Sequence, residues 1–354
     1  MLTDRALNRA LLARQLLLTR VDRPALEVVE HLVGLQAQEP QDPYVGLWAR
    51  LDPYDPQELA RAVAEGAAVR IALQRSTIHL VTAADGVALR PVLQPALHRM
   101  ARSAFGTRLA GVDLGELAAA ARELVGAEPR TFGELGRLLR ERWPDREEIA
   151  LAQTARALLP LVQLPPRGVW GRSGRARHAV FERALGTDEA PDRLVLRYLA
   201  AFGPATTADV QNWSGLTRLA EVVDRLRPSL RTFRAEDGRE LVDLPDAPRP
   251  DPDLPAPARF LPQYDNVLLG HADRSRIVPA GADALFDEQF HWSPLLVDGR
   301  LRGTWRVDRK AGRLLVRAPR LSRGERAEVV AEAGALLGLL VPKAAEPDVV
   351  ITAE

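Results

Sequence analysis

Six prolines stand between residues 245 and 257, at Pro245, Pro248, Pro250, Pro252, Pro255 and Pro257. Each removes a backbone donor and fixes φ, so neither a helix nor a central strand runs through such a stretch. It reads as a stiff linker. The chain of 354 residues is long enough for about two to four units that each bury a core, and the linker sets the last of them apart.

Ahead of the linker, capped helices alternate with strand pairs. Thr3 is placed to cap a first helix carrying Leu7, Leu11 and Leu18 near one stripe, with Asp4 at its favourable dipole end. A second helix opens after Asp22 with Pro24 in its first turn and shows Leu26, Val29 and Val33 on one face. It runs into Gln36 to Gln38 before Pro40, so the two glutamines are expected at a helix C-terminus. Asp55-Pro56 starts a short helix that Gly66 ends. The hydrophobic period then changes to two over Val69, Ile71 and Leu73 and again over Ile78 and Leu80, a strand pair, before Thr82 caps the next helix. Helices followed by a two-stranded wing make a winged-helix unit. A second set follows: a helix from Thr131 to about Trp143, another from Glu147 to Leu159, and strands flanking Gly168 to Gly174. A third runs from a helix over Arg193 to Phe202, through the cap at Thr206, to a hairpin over Glu236-Asp237-Gly238. The expected division is 1–112, 113–186 and 187–245 for three such units. The linker, a small β-rich unit with a hairpin at Asp298-Gly299, and a helix from about Gly324 to Leu340 fill 246–354.

Composition narrows the chemistry. There is no cysteine, hence no disulfide, thiol nucleophile or Cys-based zinc site, and the six histidines show no metal-ligand spacing. Only Lys310 and Lys343 are lysines, and the net charge is +1, so any basic surface must come from uneven placement. The N-terminus lacks a signal-peptide pattern and no stretch approaches about 18 apolar residues. A soluble, cytoplasmic chain without membrane contact is expected.

Tandem winged helices are most often DNA-binding modules. The densest basic feature is a hairpin candidate with Arg167, Arg172, Arg175, Arg177 and His178 around glycines that let backbone approach phosphate. It is either a DNA-contacting wing or a solvated arginine-rich loop. His79 shares a strand face with Thr77 and is either a hydrogen-bonded structural residue or a group that reaches substrate. The stretch Leu261 to Asn266, with Tyr264 and Asp265, continues to Arg276. It reads either as a substrate-facing loop or as a segment pinned by a buried ion pair between Asp273 and a nearby arginine. Gln36 and Gln38 point apart on a regular helix and converge only in extended or frayed backbone, so spacing alone makes them an ordinary polar helix end.

Four stretches together change that reading: Gly34-Leu35-Gln36-Ala37-Gln38 with Pro40, Arg75 to His79 running into Leu80-Val81, Leu261 to Arg276, and Val297-Asp298-Gly299 before Gly303-Thr304-Trp305. In order and spacing they resemble the winged-helix DNA glycosylases of the AlkZ type over nearly the whole chain. The resemblance implies an α+β fold of tandem winged-helix units with a small C-terminal β-barrel-like unit. It implies removal of bulky N7-alkylated purines from double-stranded DNA and, in some members, unhooking of interstrand crosslinks made by natural-product toxins. The family's Gln-apolar-Gln signature falls on Gln36-Ala37-Gln38, which makes these two the expected catalytic residues.

The chemistry agrees with that assignment. N7 alkylation puts a positive charge on guanine, so the base leaves neutral and needs no strong acid; what remains is to hold water beneath C1′ as oxocarbenium character develops. Two carboxamides suffice for this, and glutamine's weak basicity disfavours uncharged lesions. Neither lysine lies near the pair in sequence, so a monofunctional, cofactor-free and metal-free monomeric hydrolase is expected rather than a Schiff-base lyase. A non-catalytic winged-helix regulator remains the rival reading, and it predicts indifference to changes at the glutamines.

Overall fold

The computed structural model describes residues 1–186, 190–282, 292–342 and 348–352. The first helix, α1 (Asp4–Arg14), begins where Thr3 accepts a hydrogen bond from the Ala6 amide and buries Leu7, Leu11 and Leu12. It ends at Arg14, so Leu18 lies past it. Helix α2 (Ala25–His31) is followed by a strand, β1 (Leu35–Gln36), and by α3 (Asp42–Trp48) and α4 (Pro56–Ala64), the last capped by Asp55. Strands β2 (Ala68–Ala72) and β3 (Ile78–Thr82) pair antiparallel, and Thr82 caps the long α5 (Ala83–Phe105).

Three helices follow, α6 (Leu114–Ala127), α7 (Phe132–Arg142) and α8 (Glu148–Leu158), with a capping box between Thr131 and Glu134. Strands β4 (Leu161–Gln163) and β5 (His178–Val180) pair antiparallel with each other. They join the earlier strands in one sheet of order β1-β3-β2-β4-β5, so strands on both sides of residue 112 share a ladder. Ile71 and Val81 bury on one face of this sheet, and Leu35, Ala72 and Leu80 bury on the other. The alternation is that of a sheet covered on both sides.

Beyond it come α9 (Asp192–Phe202), α10 (Thr207–Ser214) with a Thr206/Asp209 capping box, and α11 (Ala220–Leu226). The two-stranded pair β6 (Arg231–Arg234) and β7 (Glu240–Asp243) follows. The proline-rich stretch carries no helix or strand and lies along α1. Prolines leave carbonyls without adjacent donors, and the arginines of α1 supply them: Arg5 donates to Pro252 O (2.8 Å), Arg9 to Leu254 O (2.6 Å) and Arg14 to Pro248 O (3.2 Å).

The remaining elements are β8 (Arg259–Phe260), α12 (Asn266–Leu269), β9 (Ser293–Val297), β10 (Arg300–Asp308), β11 (Arg313–Arg317), α13 (Arg323–Leu340) and β12 (Asp348–Thr352). Among the described residues these strands form an open sheet of order β12-β11-β10-β9-β8, not a closed barrel. Helix α13 packs across β8, β11 and β12 and takes up the apolar face that closure would otherwise bury. The parallel partner β12 was not among the expected strands.

Candidate active site

The glutamine pair does not sit on a helix. Val33 (φ 56°) and Gly34 (φ 90°) adopt left-handed backbone after α2, which ends the helix and turns the chain into β1. A Cβ at Gly34 would stand 2.6 Å from Val81 Cγ1, so only glycine fits there. Beyond the turn Gln36 pairs across the ladder with His79, and the Ala37 amide donates to Ile78 O at 2.8 Å. In extended backbone residues i and i+2 share a face, and the side chains of Gln36 and Gln38 meet: Gln36 Nε2 donates to Gln38 Oε1 at 2.7 Å.

A third residue fixes the direction of that bond. Arg75 Nη2 donates to Gln36 Oε1 at 2.7 Å, while its Nη1 donates to Trp213 O at 2.7 Å. A guanidinium has only donors, so the atom facing it must be the amide oxygen, and the Gln36 NH2 is thereby aimed at Gln38. Gln36 is buried and Gln38 exposed, so the chain Arg75 to Gln36 to Gln38 ends at an amide open to solvent. Arg75 (φ 52°) and Ser76 (φ 59°) both hold left-handed backbone in the tight connection between β2 and β3. Such strain costs about 1–3 kcal/mol per residue and persists where the surroundings fix it. Arg156, which donates to Ser76 O at 3.0 Å, and Gln74, which donates to Val33 O at 3.2 Å, supply that fixing. The sequence singled out this stretch for His79 and not for Arg75, although a lone arginine in a short connection between two strands was the available signal.

His79 is buried on the sheet face of Gln36, with Nδ1 3.1 Å from Thr77 O. Burial, with Arg75 adding to it, pushes its pKa down to about 3, so the imidazole is neutral. Asp265, which the sequence offered as a substrate-facing candidate, points into the protein. It forms a buried two-pronged ion pair with Arg50 (2.8 and 2.9 Å), because a carboxylate without solvent requires a matched cation. Its neighbour Asn266 donates to Gly34 O at 2.8 Å, so this stretch braces β1 from behind. Tyr264 is half-buried, its pKa raised by burial and then by Asp42 and Glu39. Asp42 is pushed up to about 7 by burial first and then by Glu39 and Asp265, and among the described residues its Oδ2 has no hydrogen-bond partner. Asp273 pairs with Arg239 at 2.7 Å, at the surface rather than in the interior.

The basic stretch is the long connection between β4 and β5. It docks beside the glutamine segment: Tyr44 donates to Gly168 O at 2.7 Å, Gln41 Nε2 to Val169 O at 3.1 Å, and the Tyr44 and Trp170 rings lie 4.9 Å apart. Arg172 and Arg175 are exposed at its outer end, while Arg167 is half-buried and donates to Gly174 O. Acids distant in sequence do reach this loop: Glu134 lies 3.4 Å from Arg175 and 3.5 Å from Arg177, and Arg177 also donates to Pro129 O at 2.6 Å. His178 does not face outward with the arginines. It is buried, stacked on Phe132 at 3.8 Å, and held neutral by burial at a pKa of about 4.

A family described as DNA glycosylase AlkZ-like matches residues 29–339. The chain belongs to the AlkZ-like DNA glycosylases. A curated relative, the interstrand DNA cross-link repair glycosylase of Streptomyces sahachiroi, is 24% identical over 331 residues, covering 83% of this chain and 85% of the relative. A solved structure of Streptomyces sahachiroi DNA glycosylase AlkZ superposes with a TM-score of 0.68 at 21% identity. It covers 99% of this chain and all of that one, a likeness of fold. The stretch matched by the AlkZ-like family contains the glutamine pair, Arg75, the basic connection and the brace at Asn266.

Proposed function

We propose that this AlkZ-like chain is a monofunctional DNA glycosylase that hydrolyses the N-glycosidic bond of N7-alkylated purines in duplex DNA. The observation that carries the reading is the Arg75–Gln36–Gln38 chain. It commits one lone pair of the Gln38 oxygen to Gln36 and, among the described residues, leaves the other and the Gln38 NH2 free at the surface. An attacking water donates to that free lone pair while the NH2 steadies the water or the sugar phosphate. Beside the pair stand a guanidinium and a neutral imidazole, neither of which is an acid fit to protonate a departing purine. Such a site suits a base that already carries its positive charge and leaves neutral. Glutamine supplies no strong base, so uncharged lesions are turned over poorly.

Interstrand crosslinks are further substrates, in keeping with the activity for which the Streptomyces relative is named, and the role is self-resistance against the toxin that makes them. A crosslinked purine stays tied to the opposite strand and cannot be extruded into a deep pocket. An amide presented at an exposed strand end, beside a connection carrying Arg172 and Arg175, accommodates a lesion left in the helix. We read the strand pairs β2/β3, β4/β5 and β6/β7 with their preceding helices as three winged-helix units that grip the duplex as a monomer. Purified protein should release 7-methylguanine from a duplex containing N7-methyl-2′-deoxyguanosine and leave an abasic site. A Gln36→Ala, Gln38→Ala double variant that still releases base would sink the assignment and favour a DNA-binding regulator.

A further inference from the structure

Three observations converge on His79. It is the direct cross-strand neighbour of Gln36 in the β1–β3 ladder, and directly opposed residues project from the same face with Cβ atoms about 5 Å apart. Its Nδ1 lies 3.1 Å from the carbonyl of Thr77, which accepts only, so Nδ1 carries the proton and Nε2 bears a bare lone pair. Among the described residues Nε2 takes no hydrogen bond, so its lone pair is uncommitted.

We propose that His79 Nε2 is a further catalytic group, the acceptor that receives the proton of the attacking water. The inference rests on the glycosylase reading above. In the step, the water oxygen bonds to C1′ as the C1′–N9 bond breaks, and the N9 electron pair leaves with the purine, which departs neutral. The new C1′ hydroxyl carries an extra proton, which passes to His79 Nε2 and from there to solvent. An oxygen bonded to an oxocarbenium-like carbon is a strong acid, so a weakly basic imidazole is adequate once the C–O bond has begun to form. Arg75, close enough to oppose charge on this ring, drives the imidazolium to release its proton before the next cycle. Thr77 acts on the tautomer: without its carbonyl the ring proton would be free to sit on Nε2 and block the acceptor.

The test separates the two ring nitrogens. In His79→Asn the side-chain NH2 reaches the Nδ1 position and can still donate to Thr77 O, but nothing occupies the Nε2 position. In His79→Gln the amide oxygen reaches the Nε2 position. Single-turnover release of 7-methylguanine from a duplex carrying one N7-methyl-2′-deoxyguanosine is followed at saturating enzyme, with Kd for the same duplex measured in parallel. The expected result is a loss of rate in His79→Asn of at least about tenfold with Kd within about twofold, and a rate at least about threefold higher in His79→Gln. An Asn variant at the wild-type rate overturns the proposal, as does an Asn and Gln pair equally impaired, which would mark a structural histidine. If His79→Asn does not fold, a His79→Gln rate below one-hundredth of wild type overturns it. Wild-type protein that releases no base would instead sink the glycosylase reading itself. Wild-type activity lost in the double glutamine variant but kept in His79→Asn would sink only the role of His79.

Discussion

Acid should destabilise this protein well above the pH at which its surface carboxylates titrate. His79, His178 and His271 are all buried; burial holds their pKa values near 3, 4 and 3, with Arg75 lowering His79 and Arg276 lowering His271 further. In the unfolded chain each titrates at its ordinary value of 6.5. A group whose folded pKa lies below its unfolded value binds more protons when unfolded. Its contribution is therefore intact above pH 6.5 and is lost as pH falls toward the folded pKa. At pH 5 an unfolded imidazole has gained about 2 kcal/mol by protonation that a folded neutral one has not, so three of them remove about 6 kcal/mol relative to pH 8. His31 and His98, also held below their usual range, act in the same direction.

Asp42 opposes them. Its folded value of about 7 exceeds its unfolded value of 3.8, so the folded state takes up a proton between pH 8 and pH 5. That uptake returns about 2–3 kcal/mol. The net loss is about 3–4 kcal/mol, a large share of the 5–15 kcal/mol typical of a folded domain. Urea unfolding followed by tryptophan fluorescence at pH 8 and pH 5 should show the midpoint falling by about 1 M. Replacing His178 by Gln should shrink the difference between the two pH values by about 2 kcal/mol, whatever the variant costs at pH 8. Asp42→Asn should enlarge it by a similar amount. A midpoint that is unchanged or higher at pH 5 would refute the reasoning, because it would mean the imidazoles charge in the folded state.

Three further outcomes bear on the site. Arg75→Ala frees the Gln36 amide to turn over, and losing a charge-assisted hydrogen bond worth about 1.5–3 kcal/mol should cut the single-turnover rate about tenfold to a hundredfold; Arg75→Lys should recover only part. For the basic connection, Arg172→Ala should reduce the slope of log Kd against log salt by about 1, whereas Arg177→Ala, tied to Pro129 O and Glu134, should change it less. Equal effects at both positions would show that these contacts do not survive DNA binding. Gly34→Ala places a Cβ against Val81 in left-handed backbone and should cost about 2–4 kcal/mol in urea unfolding while reducing base release.

Features decided by nearest neighbours were legible in the sequence. Thr3, Asp55, Thr82, Thr131 and Thr206 cap helices where their spacing placed them, since a cap is settled within about four residues. The arrangement around Gln36 was not legible, because each contact that decides it comes from far along the chain. Helical periodicity through Val33 favoured continuing α2, and what overrules it is the fit of Gly34 against Val81 with the clamp of Asn266 on Gly34 O. The direction of the Gln36 amide depends on Arg75, and the position of Arg75 depends on Trp213. Burial hid the rest: nothing local distinguishes His178 or Asp265 from exposed polar residues until Phe132 and Arg50 close over them. The same three letters, Gln-Ala-Gln, would send their amides apart on a helix and bring them together on a strand. A site of this kind is therefore specified less by its own residues than by the glycine that ends the preceding helix, which is why Gly34→Ala and Arg75→Ala should impair base release without altering either glutamine.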